Sequence, residues 1–416
     1  MHELIIIGAG PAGLSAAINA AENDVDVMVI DEFFKPGGRL LGQLNEQPDG
    51  TWWNGLEEAA ELFDKAREKN VAFHFETSVF QIDKQSNGWS VRTNKGDFQS
   101  ESLLVATGAA ERSIPIPGWT LPGVMTIGAA QVMANVHQVK PGRKGMIIGA
   151  NVLSFAIARE LQLSGVELAG IVLPPHRLLS KDSGNPGKVF HQLLSLSHLA
   201  PSPLFKWGGA LAGHFAFIEK MAVRLYPKRG LKIWGIPLQI RKAVTEIIGK
   251  DRVEAVRLSS ISPSGEILPG HDETVKIDFV CIAGGLYPLV ELLGILDCPF
   301  KYIPSLGGYV PVHREDMRTP IPSLYVAGNI TGIESSKVAI VQGKIAGLSA
   351  AMDIKRKDLS QAIRSMMALL HETRRQAVIQ FHPDILKGRE EMNKAASQEE
   401  MNRIPKPTET QVSKSI

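Results

Sequence analysis

Three glycines, Gly8, Gly10 and Gly13, stand between an apolar run and a stretch of small residues. That spacing suits one task, which is holding a diphosphate. Gly8 permits a tight turn, Gly10 lets the backbone approach the ligand, and Gly13 lets a following helix close on its strand. The N–H groups at the helix start then face the negative charge. Asp31 follows Gly13 by eighteen residues, at the end of a second apolar run. Its carboxylate can accept hydrogen bonds from ribose hydroxyls, and Glu32 lies beside it.

A second stretch, Ser323-Leu-Tyr-Val-Ala-Gly-Asn329, reads as a strand whose end offers backbone donors and a polar side chain to a bound phosphate or sugar chain. A helix is expected over 336–352, with small residues at Ala339, Gly343, Ala346 and Gly347. Its N-terminus could stabilise negative charge on a reduced cofactor. Alone, this stretch fits ordinary strand–helix packing as well as it fits a cofactor site. Together with the first motif it gains meaning.

The elements that must position these residues repeat. Residues 4–7 form a strand with both faces apolar, 8–13 a turn, 14–22 a helix and 25–30 a second strand. The same order returns about 140 residues later, with a strand over 145–148, a turn over 149–154, a helix over 155–163 stopped by Ser164-Gly165, and a strand over 166–173. Two domains of similar plan follow from this repeat. Between them, 71–75 and 89–93 alternate like half-exposed strands, and 103–106 is a further strand. The Pro- and Gly-rich segment 114–123 is an interdomain crossing. Beyond Ala350 the chain turns helical and then polar. Few large apolar residues follow Lys387, and 405–416 is expected to be disordered.

Composition narrows the class. Net charge is +2, with 44% hydrophobic and 21% charged residues, so no basic field exists for nucleic acid. The two cysteines, Cys281 and Cys298, form no C-x-x-C pair. This excludes a disulfide framework and a redox-active dithiol, and it fits a reducing, cytoplasmic compartment. A cysteine-ligated iron–sulfur cluster needs about four thiolates, more than the chain has. The first residues show no basic region or apolar core of signal-peptide type. The weakly charged stretch 189–218 is broken by Pro201, Pro203 and Lys206, short of the roughly 20 apolar residues that span a bilayer. A soluble chain without a transmembrane segment is expected.

The ordered set Gly8–Gly13, Asp31, Pro36-Gly37-Gly38-Arg39, Ala106-Thr107-Gly108 and Tyr325-Val-Ala-Gly-Asn329 resembles that of the FAD-dependent pyridine-nucleotide oxidoreductases. More narrowly, Pro117-Gly-Trp-Thr-Leu-Pro-Gly-Val-Met-Thr126, Gly128-Ala-Ala-Gln131 and Cys281-Ile-Ala-Gly-Gly-Leu-Tyr-Pro288 resemble the flavoprotein subunit of sarcosine oxidase, opine oxidase, hydrogen cyanide synthase and dye-linked proline dehydrogenase. The resemblance covers roughly residues 1–350. It implies an α/β fold of two Rossmann-like domains, the second inserted into the first, plus a helical C-terminal extension. The FAD-binding domain would take 1–118 and 295–352, the NAD(P)-binding-like domain 119–294, and the extension 353–416.

By the same resemblance, Gly8, Gly10, Pro11, Ala12 and Gly13 would face the FAD pyrophosphate, and Asp31 and Glu32 the adenosine ribose. Gly38 and Arg39 would lie near the ribityl chain and ring. Val79, Thr107 and Gly108 would stand on the adenosine side, and Gly328 and Asn329 at the pyrophosphate or ribityl group. Val338 and Ala339 would sit at the flavin's pyrimidine edge. Asn329 replaces the aspartate usual in the family, which removes a charge. The second turn keeps only its first glycine: Gly149 remains, while Asn151 and Ser154 replace the others. Its strand ends in Leu173-Pro174 with no acid for the ribose of NAD, although His176-Arg177 could meet a 2′-phosphate. A retained fold with lost or weakened nucleotide binding stands against a working NAD(P)H site.

Other residues carry less. His74, His137 and His313 lack partners at metal-ligand spacing, and no metal is expected. Cys281 reads as a small core residue. Trp52-Trp53 are expected to pack under the FAD domain, the alternative being the flavin face. Stretch 189–218 is either a docking surface, a lid or a buried helix pair. No acid–base dyad stands out, so the chemistry is assigned to the flavin ring, with electrons moving as a hydride. The expected reaction is dehydrogenation of an amine or imino acid such as proline, hydroxyproline, sarcosine or an opine, beside a second flavoprotein subunit or electron acceptor. The alternatives are a stand-alone NAD(P)H-dependent flavin reductase and a non-catalytic flavoprotein scaffold.

Overall fold

A computed structural model describes residues 1–46, 50–195, 221–227, 229–377 and 380–403. Most of 189–218 and the whole of 405–416 lie outside the described residues.

The run Leu4-Ile5-Ile6-Ile7 is the centre of the first sheet because both of its faces are covered. Leu4 and Ile6 join one core, with the helices Pro11–Ala21 and Ser336–Lys355. Ile5 and Ile7 join another on the opposite face, with Trp89 and Ile330. In order, the sheet runs Ala72–His74, Val27–Ile30, His2–Ile7, Gly96–Val105, Gly88–Thr93 and Val79–Gln85. Leu4 lies opposite Val27 on one side and Ser102 on the other, both in parallel register. A seventh strand, Leu324–Val326, pairs parallel with Gly96–Val105.

The second sheet has eight strands, and its parallel part runs Val124–Thr126, Phe279–Ile282, Lys144–Ile148, Glu167–Leu173 and Ile236–Ile248. Antiparallel strands Ala255–Ile261 and Ile267–Lys276 extend it. All of these residues fall between two strands of the first sheet. The fold is thus α/β, with two Rossmann-like domains, the second inserted into the first, and helices at the C-terminal end. Trp89 ties the two parts of the first domain, donating its indole N–H to the Ser323 carbonyl at 3.1 Å.

Two boundaries differ from the sequence reading. The first helix begins at Pro11, inside the glycine motif, because a first-turn proline has the right φ and needs no N–H partner. The second begins at Val152, not 155. The extension is also more ordered than its polar composition implies. Its last described helix, Ile385–Arg403, buries Ile385 and Met392 against Ile303, Leu306 and Val310. Two apolar residues spaced seven apart are enough to dock a helix whose other faces are wet.

Candidate functional site

A cavity of about 2160 Å³ opens between the two sheets, larger than the roughly 300–1,000 Å³ of an ordinary ligand pocket. Its walls include Gly8, Gly10, Pro11, Ala12, Asp31 and Glu32 from the first motif. Gly38, Arg39, Val79, Thr107 and Gly108 also line it, as do Gly328, Asn329 and Ala339.

The glycines divide their labour. A Cβ on Gly13 would come within 1.8 Å of the Gly8 carbonyl oxygen, so that pair closes the helix on the turn, and Gly13 is absent from the cavity wall. A Cβ on Gly10 would meet nothing within 4 Å. Gly10 is also the N-cap of Pro11–Ala21 and offers no side-chain cap. The helix start is therefore left for an outside anion, as a pyrophosphate site requires.

Asp31 is turned toward this loop. One carboxylate oxygen accepts the Ala9 N–H at 2.5 Å and the other the Phe33 N–H at 2.8 Å. Burial lifts its pKa above the ordinary value, against the pull of those two N–H groups. Glu32 beside it is exposed and faces the cavity.

The second motif arrives by helix packing. Ser336–Lys355 lies on Pro11–Ala21 so closely that a Cβ on Gly343 would stand 2.1 Å from the Ala12 carbonyl oxygen. Gly328 (φ +79°) rests on Ala12, and its N–H donates to the Gln342 side chain at 2.9 Å. The Asn329 side-chain oxygen accepts the Glu334 N–H at 3.2 Å, which leaves its amide nitrogen to a ligand. Ser335 caps the helix, accepting from the Val338 N–H at 3.4 Å. One expectation is corrected here: Val338 is 1% exposed and belongs to the core, so only Ala339 of that pair reaches the cavity.

Arg39 reaches across to the strand Ala109–Glu111, ahead of the interdomain crossing. Its Nε and Nη2 donate to the Ala109 carbonyl at 3.2 and 2.8 Å, and Nη1 lies 3.8 Å from Glu111. Glu111 in turn accepts the Gly128 N–H at 3.0 Å. Trp52 and Trp53, expected beneath the domain, both line the cavity, with the Lys337 ammonium 5.1 Å over the Trp53 ring. The strand Trp52–Asn54 pairs with Leu44–Glu46, and this short hairpin borders the cavity, with Trp52 still 47% exposed.

The repeated turn is built differently. Asn151 caps Val152–Leu163, accepting the Ser154 N–H at 3.1 Å and donating its amide to the Ala283 carbonyl at 2.9 Å. The Ser154 hydroxyl accepts from the Asn151 N–H at 3.2 Å. The helix start is thus already satisfied by its own side chains. Gly149, Asn151, His176 and Arg177 all lie off the cavity wall, and His176 and Arg177 are exposed on an outer turn. Its helix start, at Val152, Leu153 and Phe155, still borders the cavity, but with one N–H already taken by Asn151.

Sequence reasoning missed Glu160. It is 4% exposed and lines the cavity where the domains meet. Its carboxylate accepts from Gln131 at 2.8 Å, Asn135 at 2.9 Å and the Leu44 N–H at 3.2 Å, with no cation among these partners. Burial pushes its pKa up to about 7, although all three donors oppose this. The available signal was a glutamate on the apolar face of its helix, three residues after Ile157, with Gln131 and Asn135 at i, i+4 spacing on another helix. Cys281 is buried in its strand, where burial pushes the thiol up and keeps it inert. His313 is buried, bonded to the Pro311 carbonyl at 2.7 Å.

The inserted two-Rossmann fold and its open glycine turn resemble those of FAD-dependent oxidoreductases with two dinucleotide-binding domains. Residues 2–184 match the family described as pyridine nucleotide-disulphide oxidoreductase. The chain is 28% identical to an opine oxidase subunit from Agrobacterium tumefaciens (strain Ach5), over 85% of this chain and 66% of that one. It is 26% identical to hydrogen cyanide synthase subunit HcnB of Pseudomonas aeruginosa, over 92% and 77%. In fold it is similar to L-proline dehydrogenase from P. horikoshii (TM-score 0.62, 19% identity), covering 88% of this chain and 58% of that one. The chain thus spans about two-thirds of the opine oxidase protein's length. Among the described residues no helix is long and apolar enough to cross a membrane.

Proposed function

We propose that this chain is the flavoprotein subunit of an amine or imino-acid dehydrogenase, acting on a substrate of the proline, hydroxyproline, sarcosine or opine class. It works beside a second flavoprotein subunit or another electron acceptor, in the cytoplasm. FAD, when bound, supplies the two-electron acceptor. Gly8, Gly10, Pro11 and Ala12 form its pyrophosphate cradle, with Gly13 behind them closing the helix on the turn, and Asp31 and Glu32 its ribose end. Gly38, Arg39, Gly328, Asn329 and Ala339 flank the ribityl chain and ring, with Val79, Thr107 and Gly108 on the adenosine side. The domain limits follow: 1–118 and 295–352 hold FAD, 119–294 form the inserted domain, and 353–416 the extension.

The observation that carries this reading is the contrast between the two turns. Gly10 leaves its helix start open, whereas Asn151 and Ser154 close theirs. A chain that grips FAD but has capped its second nucleotide site takes electrons from an organic substrate or a partner subunit, not from a nicotinamide. The names of the relatives, which are subunits of an opine oxidase and of a hydrogen cyanide synthase, support the amine class and the multi-subunit setting.

Anaerobic titration of the FAD-loaded protein tests it, alone and with its second subunit. Bleaching by proline, hydroxyproline, sarcosine or an opine is expected, and none by NADH or NADPH. Stoichiometric bleaching by either nicotinamide would make the chain a stand-alone reductase. A flavin that no donor reduces would make it a scaffold.

A further inference from the structure

Glu334 ends the loop that leads into Ser336–Lys355, and it is 7% exposed. Two arginines converge on it from the C-terminal extension. Arg374, in the helix Ser360–Arg375, donates through Nε at 2.8 Å and Nη2 at 3.2 Å. Arg389, in Ile385–Arg403, donates a short bond from Nη2 to Glu334 and a bond from Nη1 to the Thr331 carbonyl at 2.8 Å. Both arginines are under 9% exposed, and the Arg389 Nε is buried with no hydrogen-bond partner among the described residues. His313, beside them, stays neutral because burial and the two arginines drive its pKa down to about 3. The cluster therefore carries two positive charges against one negative, with both guanidiniums buried. Glu334 itself lines the cavity, as do Asn329 and Ser335 of the same loop and Leu369, Thr373 and Phe381 of the extension.

We propose that Arg374 and Arg389 are positioning residues whose uncompensated charge, held behind the loop 328–335, makes the bound flavin easier to reduce. This rests on the reading that Ala339 marks the flavin's pyrimidine edge, where negative charge collects on reduction. The helix start there contributes a partial positive charge. A full charge in a dry surrounding acts over several ångströms with little screening, so it adds to that field. The extension is thus part of the cofactor's electrostatic environment, not only a cover for the hairpin 300–311.

Paired substitutions of opposite sign separate charge from packing. In the full FAD-loaded chain, Arg374→Gln should lower the flavin midpoint potential. It should also weaken the affinity for sulfite, which adds to oxidised flavin and leaves it anionic, by roughly tenfold. Glu334→Gln removes the one negative charge and should shift both readings the other way. Arg374→Lys keeps the charge and should leave both near the parent. A merely structural cluster predicts that both neutral variants move together, or that neither moves, and either result overturns the proposal. If Arg374→Gln does not fold, the sign for Glu334→Gln decides: a potential that is unchanged or lower overturns it. A parent chain that takes up no FAD refutes the proposed function instead, so the two failures are told apart.

Discussion

Ser154 donates its hydroxyl to the Gly149 carbonyl oxygen at 2.6 Å, at the place where the first turn has no room for a side chain at all. The matching residue there is Gly13, whose Cβ would fall 1.8 Å from the Gly8 carbonyl. One sequence pattern has thus been resolved in two ways, with a hydrogen bond in one turn and bare backbone contact in the other. Asn151 completes the second solution as cap. Asn151→Ala should destabilise the chain by about 1 kcal/mol, the usual worth of such a cap. Urea denaturation reads this directly, and the flavin content should not change. Loss of flavin in this variant would contradict the division of roles between the turns.

Gly10 and Gly13 should respond to substitution in different ways. Gly10→Leu has open space around it, so the protein should remain folded, with circular dichroism unaltered, yet emerge without yellow colour. Gly13→Val must push the helix off the turn, so stability and colour should fall together. Retained colour in Gly10→Leu would place the pyrophosphate elsewhere.

The paired helices depend on small residues in the same way. A Cβ on Gly347 would lie 2.3 Å from the Ala16 carbonyl oxygen. Gly347→Val should cost more than about 2 kcal/mol, within the range of overpacked cores. It should also weaken flavin binding, because the loop bearing Gly328 and Asn329 rides on that helix. A thermal midpoint equal to the parent's would show that the helices can separate freely.

Glu160 predicts a pH signature. Its folded pKa is raised from 4.5 to about 7, so between these values the folded chain holds a proton that the unfolded chain has released. Stability should therefore fall as pH rises through this window and level off above it. The total is at most about 3 kcal/mol. Glu160→Gln removes the titration, so the gap between its urea midpoint and the parent's should change steadily from about pH 5 to pH 7 and then hold. Parallel curves would mean that water reaches the carboxylate and relieves its burial.

The strands, the repeated unit and the motif residues were legible because each rests on local chemistry. An apolar run flanked by Gly8 or Gly149 has few ways to fold, and the motifs carrying Gly10, Asp31 and Asn329 meet on one cavity wall. What escaped depended on distant partners. Glu160 became significant only when Gln131, Asn135 and the Leu44 N–H gathered round it from other elements. Val338 has the composition of a cavity residue, but the rotation of its helix, fixed by Gly343 and Gly347, turned it inward. Trp52 and Trp53 follow a Pro48-Asp49-Gly50 turn signal, but the strands flanking it are only three residues each and lack an alternating pattern. The arginines of the extension lie 40 and 55 residues from Glu334 and follow no motif.

The strand Leu324–Val326, and the Trp89 bond that anchors its start, impose an order on synthesis. When the ribosome has passed residue 105, the sheet of the FAD domain still lacks one member, and its edge at Leu103–Val105 lies bare. More than two hundred further residues must emerge before that gap can be filled. The inserted domain, whose strands lie within one continuous span, can close in the meantime. Cofactor loading is therefore a late event: a nascent chain arrested after residue 294 would own the diphosphate turn and still be unable to keep its flavin.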